Sequence, residues 1–253
     1  MSKPKAPRIG TCIYCGKEKP ITADHVPPKN LFDRPFPPNL LTVPACADCN
    51  GGFKKDDEYF RIALTITDKS KGQRGREGIL PTVMRGINSS KADRFRTTLL
   101  SNTRVVPRFS PSGIFLGNQR QISLDGARIE GIARRIVQGL FFHVKGHRLP
   151  DDHAINVVPV GRFREVANLH PEMDLALREF IALIAAEPIT EHRDVFGYRW
   201  IQSPNGPSHT MWLLYFYEKL EFFCTTFSMT SIEELTLEGE IERVQTLAKG
   251  RGA

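Results

Sequence analysis

The sequence predicts an α+β fold: an N-terminal unit organised by four cysteines, followed by a mixed domain with antiparallel strands. Three observations predict it. Two Cys-x-x-Cys pairs, Cys12/Cys15 and Cys46/Cys49, stand 30 residues apart. The segment Gly126 to Val144 repeats apolar residues at helical spacing. Three aromatic-rich runs between Phe196 and Phe227 read as strands.

Residues 1–8 are basic and proline-rich and are expected to be a flexible arm. Residues 9–68 form the cysteine-bearing unit. Its first Cys-x-x-Cys is followed by a short strand through Ile21-Thr22-Ala23 into Asp24-His25. The proline-rich stretch Val26 to Pro38 excludes a regular helix. Leu40 to Val43 reads as a second strand. From about Cys49 onward a helix is expected, with Phe53, Tyr59, Phe60, Ala63 and Leu64 on its buried face. The run Lys69 to Gly78 has no apolar residue, so residues 69–80 are expected to be a basic linker.

Residues 81–253 read as a mixed α and β domain. Gly113 to Asp125 suggests a hairpin turning near Gly117-Asn118. Gly126 to Val144 is a helix on the spacing of Ile129, Ile132, Ile136, Val137, Leu140 and Phe141. Ile155 to Val160 reads as a strand, Leu175 to Ala186 as a helix, and Phe196 to Ser203, Met211 to Tyr217 and Leu220 to Phe227 as strands. Residues 231–253 are charged and read as a marginal helix or tail. No internal repeat is present.

The composition bounds the partners. With 253 residues, 40% hydrophobic and 25% charged, the chain suits one large domain or two small ones. No stretch approaches the roughly 20 apolar residues that cross a bilayer, so no membrane association is expected. Met1 to Arg8 lacks the apolar core of a secretory signal, and the expected location is cytoplasmic. In that reducing compartment, paired cysteines suit a metal better than disulfides. The net charge is +7, and residues 1–76 hold +6 of it. A basic excess attracts a polyanion such as nucleic acid, although charge alone does not separate that from an ordinary soluble surface.

The chemistry concentrates in the first quarter of the chain. Each Cys-x-x-Cys places two sulfurs on one tight turn, and four thiolates close a tetrahedral shell around structural zinc. Cys12, Cys15, Cys46 and Cys49 are therefore expected zinc ligands. The 30 residues between the pairs exceed what a simple ribbon needs, so something is built inside them. An aspartate is a hard ligand suited to Mg²⁺ or Mn²⁺, and a metal-free histidine beside it can take a proton from water. Asp24-His25 offers that combination. Asn50, directly after the second pair, offers either a neutral oxygen ligand or an N-cap.

These residues resemble the HNH endonuclease family, whose fold is the ββα-metal finger. The matching run is Cys12-x-x-Cys15, Asp24-His25-Val26-x-Pro28, Asn39-Leu40-Leu41, Cys46-x-x-Cys49-Asn50 and Lys54/Lys55, within residues 10–62. The resemblance implies that His25 is the general base, that Asp24 and Asn50 hold the catalytic Mg²⁺ or Mn²⁺, and that Asn39 ties the inter-strand loop to the base strand. Asn30 also lies in that loop, though less well placed. Asn50 stands where many members have histidine, which makes this an H-N-N variant. Endonuclease VII-like members are similar, with an Asp-His pair and an Asn straight after the last zinc cysteine.

The implied activity is metal-dependent hydrolysis of DNA, most naturally double-stranded, in bacterial or phage DNA defence or processing. A homodimer or partner protein would be needed for paired cuts. Lys29, Lys54 and Lys55 are candidate phosphate contacts. The competing reading is a non-catalytic zinc module that binds nucleic acid or protein.

Other features read more plainly. Asp56, Asp57 and Glu58 are expected in solvent, the alternative being that one of them approaches the metal. Cys224 and the aromatics Trp200, Trp212, Tyr215, Phe216 and Tyr217 are expected in the core. His143, His147 and His153 are helix-end and loop residues rather than a second metal site. Losing a zinc cysteine is expected to unfold residues 9–68 alone.

Overall fold

A computed structural model describes residues 8–161, 194–202 and 206–229. Within them the chain is α+β, with antiparallel sheets and the cysteine cluster near the N-terminus. The first sheet orders β1 (Ile9–Thr11), β2 (Glu18–His25) and β3 (Thr42–Cys46), all antiparallel. In β2 and β3, Asp24 lies opposite Val43 and His25 opposite Thr42. A short helix α1 (Ala47–Gly52) leaves the second cysteine pair, and α2 (Lys54–Ile66) follows after a break at Phe53. Tyr59, Phe60, Ile62, Ala63 and Leu64 form the buried face of α2, close to the face expected.

Two further helices, α3 (Arg74–Ile87) and α4 (Asp93–Ser101), occupy a region for which the sequence suggested no helix. Residues 74–80, expected as linker, are instead the first half of α3. Ile79, Val83 and Ile87 recur every fourth position and pack inward.

The hairpin of β4 (Thr103–Phe109) and β5 (Phe115–Ile122) turns earlier than expected. The turn is Ser110 to Gly113, where Gly113 adopts φ +82° and its N–H donates to the Ser110 carbonyl at 2.9 Å. The Ser110 hydroxyl also accepts from the Ile114 N–H at 3.0 Å. Gly117 and Asn118 therefore lie inside β5.

Helix α5 (Gly126–Lys145) matches its sequence reading to within a residue. Asp125 caps its N-terminus, and Gly146 ends it in the left-handed conformation. The helix crosses the end of β2 at Gly139, where an added Cβ would meet Val26 at 2.5 Å. A four-stranded antiparallel sheet completes the layer, in the order β6 (His153–Pro159), β9 (Leu220–Ser228), β8 (Thr210–Phe216), β7 (Phe196–Gln202). Trp212, Phe216, Tyr217 and Cys224 are fully buried there, as expected, and Trp200 stacks on Trp212.

One core joins these parts. Val26, Leu31 and Phe60 from the N-terminal unit share a cluster with Leu140, Phe141, Phe196, Trp212 and Phe216. Phe60 meets Phe216 edge-to-face with centroids 5.2 Å apart. The expected arm at 1–7, the expected helix Leu175 to Ala186 and the expected tail lie outside the described residues. No helix among the described residues is long and apolar enough to cross a membrane.

Candidate metal centre and candidate active site

The two Cys-x-x-Cys turns meet because β3 returns antiparallel to β2. This brings Cys46 and Cys49 beside Cys12 and Cys15. The four sulfurs lie within 4.8 Å of one another, with Cys15 and Cys46 Sγ 3.9 Å apart. Zinc–sulfur bonds of ~2.3 Å in a tetrahedron require sulfurs about 3.8 Å apart, so the spacing fits a four-thiolate metal ion and is compatible with structural zinc.

The thiols show why a cation belongs there. Burial pushes Cys12 up, but backbone N–H groups at Cys46, Cys15 and Tyr14 outweigh it and bring Cys12 to about 7. Burial and the neighbouring thiols push Cys49 far up. Four thiolates this close cannot all ionise without a positive centre. Arg148 lies against Gly16 in the first cysteine turn, and Lys19 reaches Asp48 at 2.7 Å, so two cations flank the cluster.

Beside the cluster, β2 presents the residues singled out from the sequence. Asp24 is buried and accepts a hydrogen bond from the Tyr14 hydroxyl at 2.7 Å. Tyr14 lies between the first two cysteines, so the metal-binding turn also holds the Asp24 carboxylate. Burial and the Asp24 charge push the Tyr14 hydroxyl far above its usual range, which keeps it a donor.

His25 ends β2 and is half-buried. Burial first, and Lys29 second, hold it below the ordinary histidine value against the opposing pull of Asp24. It is therefore neutral at pH 7 and able to accept a proton.

Asn50 lies inside α1 rather than at a helix start. Cys46 and Phe53 take the two N-cap positions, so the N-cap role is not the one it plays. Its Nδ2 donates to Thr22 Oγ1 at 2.9 Å and to the Ala23 carbonyl at 3.3 Å. Thr22 and Asp24 alternate onto one face of β2. Asn50 is thus fastened beside that face, and its acceptor oxygen Oδ1 has no hydrogen-bond donor among the described residues.

Asn39 is not brought to this centre. It sits in an exposed turn before β3, and its side chain makes no hydrogen bond to β2. The loop is tied instead by the Val26 N–H donating to the Leu41 carbonyl at 2.9 Å. Asn30, in a 3-10 turn at Lys29–Leu31, has a buried Oδ1 with no partner among the described residues. Lys29, Lys54 and Lys55 are exposed.

The acid run corrects the sequence reading. Asp56, Asp57 and Glu58 are partly buried and paired, not solvated. Arg128 of α5 bonds Asp56 at 2.6 Å, Arg135 of α5 bonds Asp57 at 2.5 Å, and Arg61 pairs with Glu58. Arg135 is buried and lies over the Phe53 ring at 4.3 Å. Burial pushes the Asp57 carboxyl up to about 6 despite Arg135, and the nearby Asp24 charge adds to the rise. Tyr14, Asp24, Asp57 and Arg135 form one electrostatic group. Of these, the sequence singled out Asp24 and weighed Asp57 only within its acid run; Tyr14 carried the one available further signal, its place between two ligand cysteines.

His147 packs edge-on to Phe141, and His153 pairs with Asp152. Among the described residues, the four cysteines are the one metal-competent cluster of cysteine, histidine and acidic side chains. No family model, curated protein or solved structure matches the chain.

Proposed function

We propose that the protein is a metal-dependent endonuclease of the HNH type, in its H-N-N form, hydrolysing phosphodiester bonds of double-stranded DNA in DNA defence or processing. In this reading residues 9–68 are the ββα-metal module, with β2 and β3 as its hairpin. The observation that carries it is the fastening of Asn50 to β2 beside Asp24, one residue before a neutral His25.

Asp24 and Asn50 offer two hard oxygens, which suits Mg²⁺ or Mn²⁺. Asp24 has one oxygen engaged by Tyr14 and one remaining. Asp24 and Asn50 would hold such an ion, which would neutralise charge at the scissile phosphate and the departing 3′ oxygen. His25 takes a proton from water as the water oxygen bonds to phosphorus. The P–O3′ bond breaks, the 3′ oxygen leaves as a hydroxyl after protonation by solvent, and the phosphate stays on the 5′ end. Lys29, Lys54 and Lys55, exposed around the centre, attract the phosphate backbone. Cys12, Cys15, Cys46 and Cys49 would hold a structural zinc ion, which would tie the first cysteine turn to β3 and α1.

Incubation of linear duplex DNA with Mg²⁺ or Mn²⁺ tests the reading. The expected products carry 5′-phosphate and 3′-hydroxyl ends, and Asp24→Ala and Asn50→Ala lower the rate at least about 100-fold. Cleavage that persists unchanged in both variants removes the assignment.

A further inference from the structure

Among the described residues, the β4–β5 hairpin carries the densest group of exposed large hydrophobics. It forms a two-stranded sheet of its own, so neither outer edge has a strand partner among the described residues. Among the described residues, nine large hydrophobics are exposed, and five of them fall on this arm: Val105, Phe109, Ile114, Phe115 and Leu116. Phe109 and Phe115 pair edge-to-face at its tip, 5.7 Å between centroids and both more than half exposed. Such surface is costly unless something covers it.

Charge narrows what covers it. Residues 103–122 carry three arginines and no acid, and residues 85–122 carry seven basic residues against one acidic. The basic excess expected near the cysteines thus has a second focus here. Arg108 and Arg120 are exposed, and neither makes an ion pair or hydrogen bond to the described residues. A second copy of the arm would set these arginines against their own equivalents, which like-charge repulsion opposes. A polyanion satisfies them.

We propose that the hairpin is a nucleic-acid arm that lies along duplex DNA, its arginines on phosphates and its apolar tip against the groove. Its dimensions suit this. A two-stranded ribbon enters the major groove, and an eight-residue strand spans about 27 Å. The register places Arg104, Val106, Gln119 and Gln121 on one face, with Arg104 Nε bonded to Gln121 Oε1 at 3.0 Å. Arginine and glutamine are residue types that read base edges. Val105 and Arg120 share the opposite face.

The arm is also anchored to the proposed catalytic unit. Just after β5, the Asp125 N–H donates to the Tyr59 hydroxyl of α2 at 2.6 Å. Gln119, Arg120 and Gln121 border a recess of about 330 Å³ with Ile66, Thr67 and Asp68 at the far end of α2. Helix α2 (Lys54–Ile66) is ~20 Å long, so the recess at its C-terminal end lies about six base pairs' length from its start, just after the α1 turn that carries Asn50. Duplex DNA as the polyanion rests on the nuclease reading; the arm's exposure and charge do not.

The test is fluorescence anisotropy of a 30-base-pair duplex with the full chain, in buffer without added divalent ion, across a salt series. The variants are Arg108→Ala/Arg120→Ala and Arg108→Lys/Arg120→Lys, both at exposed positions that leave thermal stability unchanged. The alanine pair binds about tenfold more weakly at 0.1 M salt, and its slope of log affinity against log salt falls by about 1.8. The lysine pair keeps the slope. An alanine pair that binds like wild type with the same slope overturns the proposal. A shift from dimer to monomer with DNA affinity unchanged also overturns it and assigns the arm to a second copy. Metal-dependent plasmid cleavage, measured on the same proteins, separates the two readings. Cleavage without arm-dependent binding removes only the arm, and arm-dependent binding without cleavage removes only the nuclease.

Discussion

Arg135 reaches from α5 into the acidic centre under β2, where it bonds Asp57 and covers the Phe53 ring. Its own Nη1 is buried without a partner among the described residues, so the cation is not fully satisfied by Asp57. A buried charge with one good partner is sensitive to losing it, because the survivor stays buried and unpaired. Arg135→Met is therefore expected to cost about 3 kcal/mol in urea unfolding, and Asp57→Leu/Arg135→Met to recover most of it. A single substitution costing under about 1 kcal/mol would show that the pair is effectively solvated. The pair was invisible in the sequence for a physical reason: its members stand 78 positions apart and join only when α5 docks on α2. Asp56-Asp57-Glu58 read alone looks like a solvated helix start. The cysteine cluster was legible because metal-ligand spacing is local to two tight turns, and the strand carrying Asp24 and His25 was legible from its own short run. Asn39 was misplaced because a loop position says little about where a side chain turns.

Elements with strong periodicity were readable and elements without it were not. The apolar residues of α5 recur over five turns, and its Asp125 cap and Gly146 terminator bound it clearly. Strands β6 to β9 are aromatic and β-branched, the composition that a pleated, half-buried surface favours. Helix α3 carries Gly75, Gly78, Pro81 and Gly86, all weak helix formers. Its three buried aliphatic residues, Ile79, Val83 and Ile87, stabilise the helix through tertiary packing, and Gly75 is required because Asp194 O would lie 2.0 Å from an added Cβ. The hairpin turn was assigned to Gly117-Asn118 on composition, but Ser110-Pro111-Ser112-Gly113 supplies both the hydroxyl acceptor and the positive-φ glycine. The proposed DNA contact of the hairpin belongs at this scale: its register, not any single residue, puts arginines and glutamines along one ribbon.

At the scale of the molecule, the cysteine unit and the remainder share one core, with Phe60 packed against Phe216 and Phe222, and Val26 against Gly139. Unfolding confined to residues 9–68 on loss of a zinc ligand, the expectation from sequence, does not fit that packing. Cys46→Ser is expected instead to lower one cooperative transition by about 10–20 °C, as a loss of about 5 kcal/mol does in a chain of this size, with zinc content falling in parallel. Two separate transitions in calorimetry, the later one unmoved, would restore the modular view. The central claim is catalytic, and supercoiled plasmid tests it most directly: wild type and His25→Ala are incubated with Mn²⁺ or Mg²⁺, and each again with EDTA. The account predicts metal-dependent nicking or linearisation by wild type, and a loss of at least about 100-fold in His25→Ala with zinc content and melting temperature retained. Equal cleavage by both proteins, or none by wild type with either ion, would contradict it.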